Sequence, residues 1–148
     1  MDLDFSDEQE LLRDMVRGVC AEYAPLAVVR AMEDDPICYP VAFWKKLAEL
    51  GLLGMLLPEA HGGAAQTLLE AAVVYEELGR ALSPSPHLPS CVIGAGALLA
   101  AGSLEQRSDW LPQIASGAAI LTPAWLEPRR GFEARGVQLV AKTDGGDF

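Results

Sequence analysis

Apolar residues recur at helical spacing in several separate stretches of the chain, and the polar residues flanking them mark where helices begin and end. Ser6-Asp7-Glu8-Gln9 has the order of a capping box, in which Ser6 caps and Gln9 reaches back to the cap's backbone amide. Leu12, Met15, Val16, Val19 and Tyr23 follow as one stripe. This first helix is expected to end near Ala24 or to continue past Pro25 with a kink. Glu33-Asp34-Asp35-Pro36 predicts a loop, because a residue before proline is pushed out of the helical region. Pro40 suits the first turn of a second helix, with Phe43, Trp44, Leu47 and Leu50 on one face and Gly51 as its left-handed stop.

The run Leu52 to Leu57 is too short for a separate helix and predicts extended chain or a loose turn, broken by Pro58. His61-Gly62-Gly63 then reads as a turn. Thr67-Leu68-Leu69-Glu70 is a second capping box, opening a helix whose expected buried stripe is Leu68, Ala71, Ala72, Tyr75 and Leu78. Glu70, Glu76 and Glu77 are expected on its solvated face. Ser83 to Pro89 is a proline-rich connection, after which Ser90 is the expected cap of a helix CVIGAGALLAA. That helix is apolar on all sides, as a central helix would be. Gly94 and Gly96 each cost it about 1 kcal/mol of propensity against Ala, so close approach of another helix or a slim ligand is expected there. Gly102 closes it, Ser103-Leu104-Glu105-Gln106 makes a third capping box, and Trp110, Leu111 and Ile114 continue the apolar face, with Pro112 bending the last turn before Ser116-Gly117.

The pattern changes after this point. Residues 119–126 are apolar without helical spacing, 135–142 include the β-favouring Val137 and Val140, and Gly145-Gly146 reads as a turn. The fold class expected is therefore mainly α: a helical bundle of five to six helices over residues 1–117, then the first strands of an incomplete β domain over 118–148. About thirty residues cannot complete a sheet, so a fragment or one half of a split polypeptide is expected.

Composition narrows the function classes. With 148 residues, 51% of them hydrophobic, the chain can bury a real core. A formal charge of −10 with eleven dispersed Lys and Arg disfavours nucleic acid and gives no polybasic reason to sit on a membrane. The longest apolar run, Leu88 to Gly102, contains Pro89 and Ser90 and is too short to span a bilayer. Cys20, Cys38 and Cys91 lack metal-ligand spacing and are expected to be reduced core or near-core thiols of a soluble cytoplasmic protein. No nucleophile–base set, phosphate-cradling glycine loop or metal site is visible. The residues alone stop at a soluble helical bundle leading into a β segment.

Four segments carry a resemblance across nearly the whole chain. FSDEQELLRDMVRGVCAEYAP, FWKKLAELGLLGMLLPEAHGG, AAVVYEELGRAL and LLAAGSLEQRSDWLPQIASG occur in the order found in the acyl-CoA dehydrogenase family. The resemblance implies a helical amino-terminal domain, a middle β domain and a carboxy-terminal helical domain holding FAD between them. It implies α,β-desaturation of acyl-CoA thioesters in fatty acid or lipid metabolism: a carboxylate removes the α-proton and the flavin accepts the β-hydride. Hydrogen bonds to the thioester carbonyl stabilise the developing enolate. The family's catalytic Glu lies in the last domain, so no glutamate of residues 1–148 takes that role, and these residues alone are expected to be inactive.

The family's flavin-contacting segment, "F-x-L-T-E-P-x-A-G-S-D", falls on residues 123–133. Glu127, Pro128 and Gly131 match and Glu133 is an acidic equivalent, while Leu126 replaces a threonine and Phe132 a serine. The resemblance thus nominates Pro123, Trp125, Leu126, Gly131 and Phe132 as cofactor-binding, and Pro89, Val92, Ile93 and Gly96 as lining the acyl chain. It implies an acyl-CoA substrate, an electron-transfer protein or similar acceptor, and a homo- or hetero-oligomer, dimeric or tetrameric. Leucine cannot make the hydrogen bond of threonine. That keeps open the alternative of a non-catalytic or degenerate subunit supporting an active partner.

Overall fold

The computed structural model describes residues 4–127, 131, 133, 136–140 and 142. Six α-helices form among them: α1 (Asp7–Tyr23), α2 (Leu26–Ala31), α3 (Val41–Glu49), α4 (Leu68–Arg80), α5 (Ala95–Ala101) and α6 (Leu104–Ala115). Short 3-10 turns cover Leu52–Gly54 and Glu59–His61, and a π-helical segment, Leu88–Gly94, runs directly into α5.

All three capping boxes form, at Ser6, Thr67 and Ser103. Two of them are joined. Gln9, the third helical residue of α1, donates from Nε2 to Oε1 of Glu70, the third of α4, at 2.9 Å. Hydrogen bonds from Thr67 and Gln9 bring the Glu70 carboxyl down to about 2. The first helix does not continue through Pro25 with a kink. Ala24 leaves helical geometry at φ −132°, and Pro25 caps the separate helix α2 in an extended conformation. Pro40 likewise sits one residue before α3 as its cap, and Gly51 takes φ +72° after it.

The core is assembled from Val16, Val19 and Cys20 of α1, Phe43, Trp44 and Leu47 of α3, and Leu111 and Ile114 of α6 around the run 52–57. That run is neither extended nor a helix. It starts as a 3-10 turn, with Leu52, Leu53, Met55 and Leu57 all buried. Its backbone groups are buried too, so they require partners. Gly54 O accepts from Leu57 N and Ala64 N, Met55 O from Gln66 N, and Leu57 O from Ala65 N. The chain reaches those carbonyls only because residue 63 is glycine: a Cβ there would stand 2.0 Å from Leu57 O. His61-Gly62-Gly63 is thus a turn, as its sequence predicts.

The buried face of α4 is rotated from the expected stripe. Leu68 is 72% exposed and Ala72 is exposed, whereas Val73, Val74 and Glu77 are buried. Ala71 and Leu78 of that stripe are buried as expected, and the one charged member of the buried strip is paired. Glu77, 1% exposed, receives Arg17 Nε and a terminal guanidinium nitrogen at 3.0 and 2.8 Å, with Arg80 Nε 3.4 Å away. The Arg17 hydrogen bonds hold its carboxyl below the usual carboxylate range. A carboxylate so paired can be buried against α1 instead of facing solvent.

Two further expectations are corrected. Ser90 caps no helix; it lies inside the π-helical segment, which begins at Leu88. Cys38 is exposed with φ +62°, unlike buried Cys20 and Cys91. Among the described residues of 118–148 no strand is present. Glu127 Oε1 instead accepts from the backbone amides of Gln138 and Leu139, both at 2.7 Å. A carboxylate there meets donors that a neighbouring strand would otherwise satisfy. No helix among the described residues is long and apolar enough to cross a membrane.

Arg17→Met keeps the apolar stem and leaves Glu77 with Arg80 alone. Urea denaturation is expected to show a loss of about 2 kcal/mol. Lys46→Met, which breaks the exposed Lys46–Glu49 pair, is the control, with an expected loss of about 0–1 kcal/mol.

Candidate functional site

The π-helical segment and α5 form one continuous rod over 88–101 with two unlike faces. Ser90, Cys91, Gly94 and Ala95 are buried against the bundle. Pro89, Val92 and Ile93 are half-buried and Gly96 is exposed. These four are set apart by their exposure from the buried Ser90, Cys91, Gly94 and Ala95 and lie on the other side of the rod. The candidate acyl-lining residues therefore lie together on a face that the described chain covers only in part.

The two glycines differ in environment. A Cβ on Gly94 would meet Leu121 O at 3.0 Å, so the segment leaving the bundle passes close over the rod there. Leu121 N donates to Ser90 Oγ at 3.1 Å, fastening that passage. A Cβ on Gly96 would meet nothing within 4 Å. Backbone packing explains the first glycine, and nothing in the described chain explains the second.

The clasp at Leu121 also sets where the cofactor-side residues begin. Pro123 is half-buried, Trp125 and Leu126 are 50% and 56% exposed, and Gly131 is exposed. Phe132 lies outside the described residues. The structure thus brings the roots of the two candidate sets together, at Ser90 and Leu121, two residues before Pro123.

At the start of the rod stands a residue that the sequence reading left in a proline-rich connection. His87 is 1% exposed. Its Nε2 lies 3.0 Å from Leu52 O and its Nδ1 2.6 Å from the Tyr75 hydroxyl. A carbonyl only accepts, so Nε2 carries the proton and Nδ1 accepts from Tyr75. The Tyr75 ring meets the imidazole edge-on, at 5.4 Å between centroids and 77° between planes. Burial pushes the imidazole below its ordinary value, which keeps it neutral. An open groove of about 320 Å³ beside it is lined by Tyr75, Leu78, Leu82 and Leu88 together with Ser83 and Ser85. The only signal in the sequence was a lone histidine directly ahead of a wholly apolar helix.

The remaining titratable groups offer no obvious chemistry. Burial raises the Cys91 thiol to about 12 and also raises Cys20. A groove of about 420 Å³ runs along Arg17, Cys20, Glu77 and Arg80, away from every candidate residue. Among the described residues no group of three or more His, Cys, Asp or Glu could hold a metal ion.

Residues 6–118 match the family "acyl-CoA dehydrogenase, N-terminal domain". The chain belongs to the acyl-CoA dehydrogenase family. Acyl-CoA dehydrogenase IpdE2 of Mycolicibacterium smegmatis is 39% identical over 118 residues, covering 79% of this chain and 36% of that protein. Among solved structures, the ChsE4-ChsE5 complex from Mycobacterium tuberculosis aligns with a TM-score of 0.78 at 29% identity, over 87% of this chain and 35% of that one. An acyl-CoA dehydrogenase complexed with FAD from Bacillus anthracis aligns with a TM-score of 0.79 at 27% identity, over 91% and 23%. The chain spans 39%, 36% and 35% of the length of three of its relatives. The bundle, then, is the family's amino-terminal domain, and the outward face of the rod is presented by that domain.

Two outcomes check this geometry. Gly96→Ala is expected to stabilise by about 0.4–1 kcal/mol, since the site is open and the helix gains propensity. Gly94→Ala is expected to lose about 1–3 kcal/mol, because Leu121 must move; denaturation midpoints of opposite sign confirm the pair. The second outcome concerns pH. His87 has its folded value lowered from 6.5, so the unfolded chain binds the proton more readily. Its contribution is complete above about pH 6.5 and is lost as pH falls toward the folded value. The melting temperature is expected to fall between pH 7 and pH 5.5, and this slope is expected to flatten in His87→Gln.

Proposed function

We propose that this chain is the amino-terminal part of an FAD-dependent acyl-CoA dehydrogenase that α,β-desaturates acyl-CoA thioesters. The observation that carries the reading is the partly exposed face Pro89-Val92-Ile93-Gly96, rooted at the Ser90–Leu121 hydrogen bond beside the cofactor-side segment. Pro89, Val92 and Ile93 supply apolar area for an acyl chain, and the bare Gly96 leaves width for it. Pro123, Trp125, Leu126, Gly131 and Phe132 are the cofactor-side residues. Trp125 and Leu126 offer exposed apolar surface to the rings of FAD, but Leu126 provides no hydrogen bond. When bound, FAD supplies the acceptor for the β-hydride.

The base belongs to residues outside 1–148. Glu70 and Glu77 are unsuited to it, because each is held as a carboxylate by its partners, which weakens it as a proton acceptor. Residues 118–148 begin the middle β domain. The bound FAD of the Bacillus anthracis relative and the two-chain assembly of the ChsE4-ChsE5 complex support a flavoprotein working as an oligomer; an electron-transfer protein or similar acceptor would take its electrons. Three free cysteines fit a reducing cytoplasm.

Leu126 in place of the motif's threonine favours a second reading, a subunit that supports an active acyl-CoA dehydrogenase partner and binds FAD weakly or not at all. Purified full-length protein separates the two. The first reading expects a flavin spectrum and reduction of an artificial acceptor by acyl-CoA; colourless protein inert toward a panel of acyl-CoAs sinks it. Activity arising only with a co-expressed partner chain establishes the second. Under the first, Leu126→Thr is expected to tighten FAD binding roughly fivefold, about 1 kcal/mol. Residues 1–148 alone are expected to turn over nothing.

A further inference from the structure

We infer that His87 is a positioning residue for the acyl-binding face, setting the seat of the rod 88–101 and through it the acyl-chain selectivity of the enzyme. This rests on the function proposed above.

The imidazole joins three separate elements at the first turn of the rod. It donates to the 3-10 turn through Leu52 O, accepts from α4 through the Tyr75 hydroxyl, and leads by its own backbone into Leu88. Its backbone amide donates to Ser85 Oγ at 3.2 Å, which holds the entry of the chain as well. Further along, the rod is held by different groups. Ser90 takes Leu121 N, and Arg107 Nε donates to Leu98 O and Gly102 O at 3.2 and 3.0 Å. The face carrying Pro89, Val92, Ile93 and Gly96 begins two residues after His87.

The helical type sharpens the point. The segment Leu88–Gly94 is π-helical and α5 is α-helical. A π turn needs more residues than an α turn, so it persists only where surrounding contacts favour it. If the first turn tightens to α geometry, every outward side chain beyond it rotates relative to Leu121. The His87 bonds fix the entry of that first turn to the core, while Ser90 within it holds Leu121. Leucine at 87 would fill similar space, remove the side-chain donor to Leu52 O and leave the Tyr75 hydroxyl without its His87 acceptor. Glutamine could both donate to Leu52 O and accept from Tyr75.

The test uses the full-length protein and the variants His87→Leu, His87→Gln and Tyr75→Phe. Each is assayed on butyryl-, octanoyl- and palmitoyl-CoA, with FAD content measured in parallel. His87→Leu is expected to change the ratio of kcat/KM between chain lengths roughly tenfold, about 1.4 kcal/mol. The change should lie in KM rather than kcat, with FAD content as in wild type. Tyr75→Phe, which removes one bond and no volume elsewhere, should shift the ratio in the same direction by less, and His87→Gln should restore the wild-type profile. Hydrogen exchange gives a readout independent of turnover: in His87→Leu, the amides of residues 90–97 should exchange faster while α1 and α6 keep their protection. An unchanged length profile in folded His87→Leu or Tyr75→Phe protein overturns the inference. So does exchange that accelerates uniformly, which marks His87 as a general core residue. Wild-type protein without acyl-CoA turnover refutes the proposed function instead, and the exchange pattern then decides whether His87 seats the rod.

Discussion

The structure depends on burying a stretch of chain that is not a regular helix. Leu52 to Leu57 fills the centre of the bundle with side chains, but its carbonyls have no continuous helical ladder to accept into. A buried carbonyl without a donor costs about 1–3 kcal/mol, so every neighbour that reaches this run has a polar task. The loop 63–66 supplies three amides, and Gly63 is bare so that it can approach. His87 supplies the fourth donor, to Leu52 O. A histidine among prolines and a pair of glycines after His61 thereby have one common cause.

That cause extends to the candidate site. Because His87 is spent on Leu52 and Tyr75, the rod 88–101 starts at a fixed place, and its buried side receives the Leu121 passage at Ser90 and Gly94. The side left over carries Pro89, Val92, Ile93 and Gly96. The geometry of this outward face is a consequence of what the inward face must satisfy. On the far side of α4, Glu77 follows the same logic with charge: its burial is sustained by Arg17 and Arg80. Both buried groups, His87 and Glu77, are occupied by partners within the bundle.

Much of the fold was legible in the sequence. Capping is local, so Ser6, Thr67 and Ser103 announced three helix starts correctly. Phe43, Trp44 and Leu47 were on the buried face of α3, and Gly51 marked its end. The misses share a different origin. Leu68 and Ala72 were expected inside by periodicity, but α4 buries the adjacent strip with Val73, Val74 and Glu77, the last paired with Arg17 of α1. Ser90 has the composition of a cap, yet its hydroxyl serves Leu121, thirty-one residues later. Pro25 could have kinked or broken its helix, and the chain breaks, with Ala24 outside helical geometry at φ −132°. The candidate acyl-lining residues could be named only from resemblance, because an apolar helix shows no preference of face until something covers one side.

The sequence by itself determined where most helices start and stop, that the chain carries a core, and which family's segments it repeats. These are set by interactions within about four residues, which a linear pattern records directly. Only the tertiary structure decided which faces are buried, which carboxylate lies inside, and what His87 and Ser90 bind. Those outcomes depend on partners 12 to 60 residues away, and a buried polar group reveals its purpose only once the group it must satisfy is beside it.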